Sequence, residues 1–184
     1  MRALRPFMSV ASGVLLLAAL TLSASQAHAG PAPSLLVPRF DLVQTAPPDQ
    51  RYDQKADHAR IRLITRRVRA AFGASKHYRV LDRGPKDRRP PYAYTGCHAC
   101  IYDWARARGA DYVLVGWVQK ESRLILFISM ALLNVHSHKV VQTGSVSLRG
   151  DTDSVWIHGA RYLLEHTFHV IPTPHAPAQP SQGD

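Results

Sequence analysis

The chain has 184 residues, with 23 Lys+Arg against 13 Asp+Glu, a formal net charge of +10, 10 His and 2 Cys. That length is one domain's worth, and an apolar fraction of 46% excludes wholesale disorder. Two cysteines exclude a disulfide-framework miniprotein and a four-cysteine zinc site.

Residues 1–29 read as a cleaved export signal. Arg2 and Arg5 form a positive start, Val14 to Leu22 an apolar centre, and Ala27-His28-Ala29 places small residues where a signal peptidase looks. The apolar run is far shorter than the ~20 residues that span a bilayer, and no Cys follows the cleavage site to carry a lipid. Removing the leader with its two arginines lowers the net charge to +8. The expected product is periplasmic, a compartment in which disulfides persist.

After a short lead-in (30–33), Ser34 to Val43 reads as a strand with Pro38 at an edge or bulge. Tyr52 to Ser75 is the strongest helix signal. Ala56, Ala59, Ile61, Ile64, Val68, Ala71 and Phe72 recur at three- and four-residue spacing, Gly73 sits near the end, and Arg60, Arg62, Arg66, Arg67 and Arg69 are assigned to the opposite face. Tyr78 to Asp82 is a short strand, followed by a basic, Pro-rich loop from Arg83 to Pro91 that contains Lys86, Arg88 and Arg89. A second helix is expected over His98 to Arg108, stopped by Gly109. Tyr112 to Lys120, Arg123 to Val135 and Val140 to Leu148 read as three strands joined by Glu121-Ser122 and His136-Ser137-His138. Asp151 to Val170 reads as a third helix, capped by Asp151, Thr152 or Asp153, with Trp156, Ala160, Leu163, Leu164 and Phe168 inward. The Pro-rich tail 172–184 is too poor in apolar residues to fold and is expected to be disordered. The order β-α-β-α-β-β-β-α predicts an α/β fold: one domain over 34–171, a single mixed sheet, and helices on at least one face.

Three stretches carry a resemblance: Ala107 to Lys120 (ARGADYVLVGWVQK), Gly144 to Trp156 (GSVSLRGDTDSVW) and Cys97-His98-Ala99-Cys100. Together they resemble an uncharacterised family of exported bacterial proteins, a domain of unknown function, over about residues 36–168. The resemblance implies a fold and no activity. More remotely, a helix, Gly-Ala-Asp, an apolar strand, Gly and two hairpin strands are similar to three periplasmic modules. These are the amino-terminal domain of TolB, the curli-secretion lipoprotein and the lipoprotein activators of cell-wall synthases, and they imply a scaffold for protein contacts. One departure is the turn, here His136-Ser137-His138.

Cys97 and Cys100 are the sharpest chemical feature. As C-x-x-C at a helix start they read as a structural disulfide, as a dithiol exchange centre, or as part of a metal site with His98 and His136 or His138. No apolar strand precedes the pair directly and no Pro lies between Pro91 and Pro172, so the thioredoxin context is missing; Ile101 after Cys100 excludes haem attachment. His158, His166, His169 and His175 read as solvated. Arg62, Arg66, Arg67, Arg69, Arg88 and Arg89, with Tyr92 and Tyr94 and the neighbouring Tyr102, Trp104 and Trp117, form a candidate surface for an acidic partner. No nucleophile elbow, H-E-x-x-H, phosphate loop or dinucleotide fingerprint occurs. Asp103, Asp111, Asp151 and Asp153 have cap or turn explanations.

These features predict a non-enzymatic module that needs no cofactor and binds a periplasmic or envelope protein. An anionic membrane surface is a second possible contact, and nucleic acid is excluded by location. The alternative is a thiol-redox or metal-handling protein centred on Cys97 and Cys100.

Overall fold

A pair of short parallel strands and a long antiparallel meander share one central strand. The computed structural model describes residues 30–45, 53–82, 97–122 and 124–171. The leader, Arg88, Arg89, Tyr92, Tyr94 and the tail 172–184 lie outside the described residues. All the described elements belong to one compact unit that begins at Pro31. Its elements are β1 Ser34–Leu36, β2 Asp41–Gln44, α1 Gln54–Ala74, β3 Arg79–Val80, α2 His98–Arg106, β4 Tyr112–Lys120, β5 Ile125–Asn134, β6 Lys139–Arg149 and α3 Asp153–His166. The path across the sheet is β3-β1-β4-β5-β6, with β2 also on β4. β1 and β2 run parallel to β4, while β4-β5 and β5-β6 are antiparallel. The mixed sheet therefore holds, and the sequence-derived element order holds from α1 onward.

The expected single strand over 34–43 is in fact two strands. Pro38 has no N–H to give a ladder, and the chain kinks between Val37 and Phe40. Side chains of α1 satisfy the freed backbone groups: Arg69 donates through Nε to the Val37 carbonyl (2.9 Å), and Phe40 N–H donates to Thr65 Oγ1 (3.1 Å). The Phe40 ring then lies on β4 at Gly116, where a Cβ would collide with it.

Strand parity divides the core. Leu114 and Val118 of β4, with Leu126, Ile128, Met130 and Leu132 of β5, face α1 and α3. Val113, Val115, Ala131 and Leu133 face α2, together with Ile101, Tyr102, Trp104 and Ala105. Each Val, Leu, Ile or Met among them contributes about 1.5–3 kcal/mol on burial. Local chemistry sets the helix ends. Asp53 caps α1 by accepting from Ala56 N–H (2.9 Å), and Thr152 caps α3 by accepting from Val155 N–H (3.4 Å). Gly109 adopts φ +68° after α2. The third helix stops at His166, earlier than expected, and Phe168 and Val170 fold back into the core around His169, which has a positive φ of 51°.

Candidate functional site

Among the described residues, the largest cluster of charged groups lies where β4 ends beneath the starts of α1 and α3. Lys120 shares the parity of Leu114 and Val118, so its ammonium points under α1. There Asp57 occupies the buried stripe one turn before Ile61. Lys120 Nζ donates to Asp57 Oδ2 and to Asp151 Oδ2, both at 2.6 Å. Arg60 Nη1 donates to Asp57 Oδ1 (3.0 Å) and Asp151 Oδ1 (3.1 Å), and its Nε donates to Asp153 Oδ1 (2.9 Å). Trp156 Nε1 adds a donor to Asp151 Oδ1 at 2.9 Å. Asp57 is 1% exposed and Lys120 5%. Burial by itself would lower the Arg60 pKa, but its bond to Asp153 and the field of Asp151 outweigh that and raise it. Two cations thus answer three carboxylates, and the cluster ties two helix starts to the sheet. Sequence reading placed Arg60 on an open face and missed Asp57 and Lys120. The available signals were an acid in register with Ile61 and Ile64, and a lysine at the inward parity of β4.

A second polar junction joins β1 to β4. Ser34 donates from its N–H (2.8 Å) and its hydroxyl (2.7 Å) to Asp111 Oδ2, while His136 Nε2 lies 3.1 Å from Asp111 Oδ1. Hydrogen bonds from the Ser34 side chain, then its backbone, then His136 hold the Asp111 carboxyl at about 2. A serine, an aspartate and a histidine meet here in an order useless for acyl transfer. The carboxylate sits between the other two, so no histidine is placed to take the serine proton. Ser34 is also 1% exposed.

At the start of α2, Cys97 and Cys100 form a disulfide with Cα atoms 5.4 Å apart. Cys97 caps the helix, its Sγ accepting from Cys100 N–H at 3.3 Å. Across the helix, Tyr102 stacks on His138 (centroids 4.6 Å, planes 19° apart), and Arg106 donates to His138 Nε2 at 2.6 Å. A guanidinium only donates, so Nε2 is the acceptor in this contact. His136 and His138 therefore serve different partners. Among the described residues, no group of three His, Cys, Asp or Glu is placed to hold a metal ion.

The aromatic side of the expected surface needs correcting. Tyr102 and Trp104 are buried against the sheet, and Arg108 covers Trp104 at 4.3 Å from the ring centroid. These rings belong to the core because α2 turns its apolar stripe inward. Arg69 is half-buried and committed to Val37. Arg62, Arg66 and Arg67 are exposed on α1 and make no ion pair among the described residues.

Residues 33–168 match a family described as protein of unknown function (DUF2380). The chain belongs to this family. The match runs from the start of β1 to the turn after α3, so it takes in every element above. No curated protein matches the sequence. Several solved structures are similar. The C-terminal domain of LpoB from Salmonella enterica has 16% identity over 64% of this chain and 82% of that one, with a TM-score of 0.44. The PelC dodecamer from Paraburkholderia phytofirmans has 17% identity over 72% and 86%, with a TM-score of 0.45. TolB from Acinetobacter baumannii has 16% identity over 73% of this chain and 28% of that one, with a TM-score of 0.43. Likeness at this level transfers no function. No helix among the described residues is long and apolar enough to cross a membrane.

Proposed function

We propose that this protein is an exported, non-enzymatic accessory module of the bacterial periplasm that binds an acidic envelope protein through the outward face of α1. Its partner belongs to an envelope assembly or is an exported redox enzyme. The observation that carries this reading is the exposure of Arg62, Arg66 and Arg67 without acidic partners among the described residues. Arg62 and Arg66 stand one turn apart, where like charges oppose the helix by about 0.2–0.5 kcal/mol. An acidic surface would relieve that repulsion. Arg88, Arg89, Tyr92 and Tyr94, which lie outside the described residues, are proposed as further contacts of the partner on sequence grounds. The remaining described charge clusters have internal structural partners, which fits a scaffold.

The test is Arg62→Glu combined with Arg66→Glu and Arg67→Glu. Chemical crosslinking in intact periplasm should lose the wild-type adduct while the thermal midpoint stays unchanged. An adduct that survives the triple change sinks the reading. Binding of the wild type to phosphatidylglycerol vesicles with no protein adduct would move the surface to lipid.

A thiol-exchange reading rests on one observation: both cysteines are half-buried at the start of α2, within reach of a reductant. Under this reading, Cys97→Ser with Cys100→Ser abolishes function in a folded protein. As a structural link closing a short loop, the bridge instead contributes about 2 kcal/mol of stability, and its loss leaves the partner adduct in place.

A further inference from the structure

The large apolar side chains that stand exposed among the described residues are Leu124, Ile125, Val140, Val141 and Tyr162. They flank the two ends of β6 and the helix above it. β6 ends the path of the sheet, and its run Val140 to Leu148 carries no charge. Edge strands are ordinarily short or guarded by charges, because their open N–H and C=O groups recruit further strands. A groove of about 560 Å³ lies between β6 and α3, lined by Val146, Leu148, Val155, His158 and Tyr162 among others.

The ladder fixes which groups are open. Gly150 N–H donates to the Leu124 carbonyl at 2.8 Å. Alternation in an antiparallel pair then turns the backbone of Leu148, Val146 and Gly144 toward β5, and that of Thr143, Ser145, Ser147 and Arg149 outward. At the other end the register passes from Leu132↔Gln142 to Leu133↔Val140, so Val141 is a bulge that terminates the regular run.

We propose that this edge binds a second copy of the chain, with β6 pairing antiparallel to β6 about a twofold axis through Ser145. In that register Ser145 faces itself, Thr143 faces Ser147, and Val141 faces Arg149. No like charges meet. Arg149 is the partner of Ile125 within the sheet, so Val141 of one copy packs on the stem of Arg149 of the other, with Ile125 one strand further in. Moving the axis to Thr143 places the bulge inside the paired run, and moving it to Ser147 shortens that run. Tyr162 of each copy then stands over the joint and enters the other's groove. On the opposite side the sheet ends in β3 and β2, two and four residues long, too short to repeat a pairing of this length, so the assembly closes as an isologous dimer. This surface is separate from the arginine face of α1.

Ser145→Lys and Ser145→Glu test it, because a charge at the axis meets its own copy. Ser145 is exposed and its hydroxyl meets that of Ser129 at 2.8 Å; loss of that one bond lowers the melting temperature slightly, and circular dichroism and the melting curve verify that each variant monomer keeps its fold. Light scattering should report twice the monomer mass for the wild type, the monomer mass for each variant alone, and the dimer again when the two variants are mixed. A monomeric wild type at every concentration, a dimer that persists with Ser145→Lys, or a mixture that stays monomeric overturns the proposal. A wild-type monomer whose β6 amides gain exchange protection only beside another protein assigns the edge to a foreign strand and overturns it equally.

Discussion

Two groups of arginine sit on α1 and meet opposite fates. Arg60, near the helix start, is drawn into a cluster with Asp57, Asp151, Asp153 and Lys120. Arg62, Arg66 and Arg67 look into solvent. Sequence spacing assigns all of them to one face. Burial and the position of the carboxylates separate them, since a charge is expensive to bury alone and tolerable only when paired and hydrogen-bonded. Net charge therefore says little about an interface until the internally compensated cations are set aside.

The contrast breaks most visibly at Lys120. Lys120→Met leaves Asp57 and Asp151 with Arg60 as their remaining cation among the contacts described, and should cost about 3–5 kcal/mol in urea unfolding. An unchanged unfolding midpoint would mean that the carboxylates are relieved some other way and that the cluster is no different from the open face.

Asp111 is an intermediate case, bonded yet half-exposed. Its folded pKa of about 2 lies below the ordinary 3.8. The bonded carboxylate therefore stabilises the fold fully above the ordinary value, and its contribution is lost as pH falls toward the folded one. Asp111→Asn should flatten the acid side of a plot of melting temperature against pH, while two parallel curves would show that the Ser34 and His136 contacts carry no free energy. The smallest effect belongs to the open face. Arg62→Ala with Arg66→Ala should move stability by less than about 0.5 kcal/mol, in the stabilising direction, and added salt should shrink the difference. A large loss would place those arginines in the structural class with Arg60.

Most of the architecture was legible. Strand β4 matches its expected bounds because apolar β-branched residues between Asp111 and Glu121 admit no other reading, and Gly109 marks the end of the second helix through its positive φ. The β1–β2 break was half-legible: Pro38 announced an irregularity, but Arg69 and Thr65 reaching over from α1 is a tertiary fact. Neighbourhood in sequence puts Tyr102 and Trp104 beside the basic loop, whereas the stripe of α2 alone decides which way they point. Asp57 is not legible in the sequence of α1 alone, because an acid on an apolar stripe makes sense only with Lys120, 63 residues away, to answer it.

The placement of β1 has a kinetic consequence. This strand lies between β3 and β4, and its register with β4 joins Leu35 to Tyr112 and Leu36 to Val113. Those contacts close long loops, whereas β4, β5 and β6 follow one another through short turns and α3 comes directly after. Local pairings form early and distant parallel ones late. Pulse-labelled hydrogen exchange during refolding should protect β5 and β6 before β1, and simultaneous protection would refute that order. β1, synthesised before the strand it joins, is therefore among the last to find its place. Until Tyr112 to Lys120 arrives, it has no central strand to join, so the amino-terminal half depends on keeping its apolar β1 and β2 segments from other partners in the meantime.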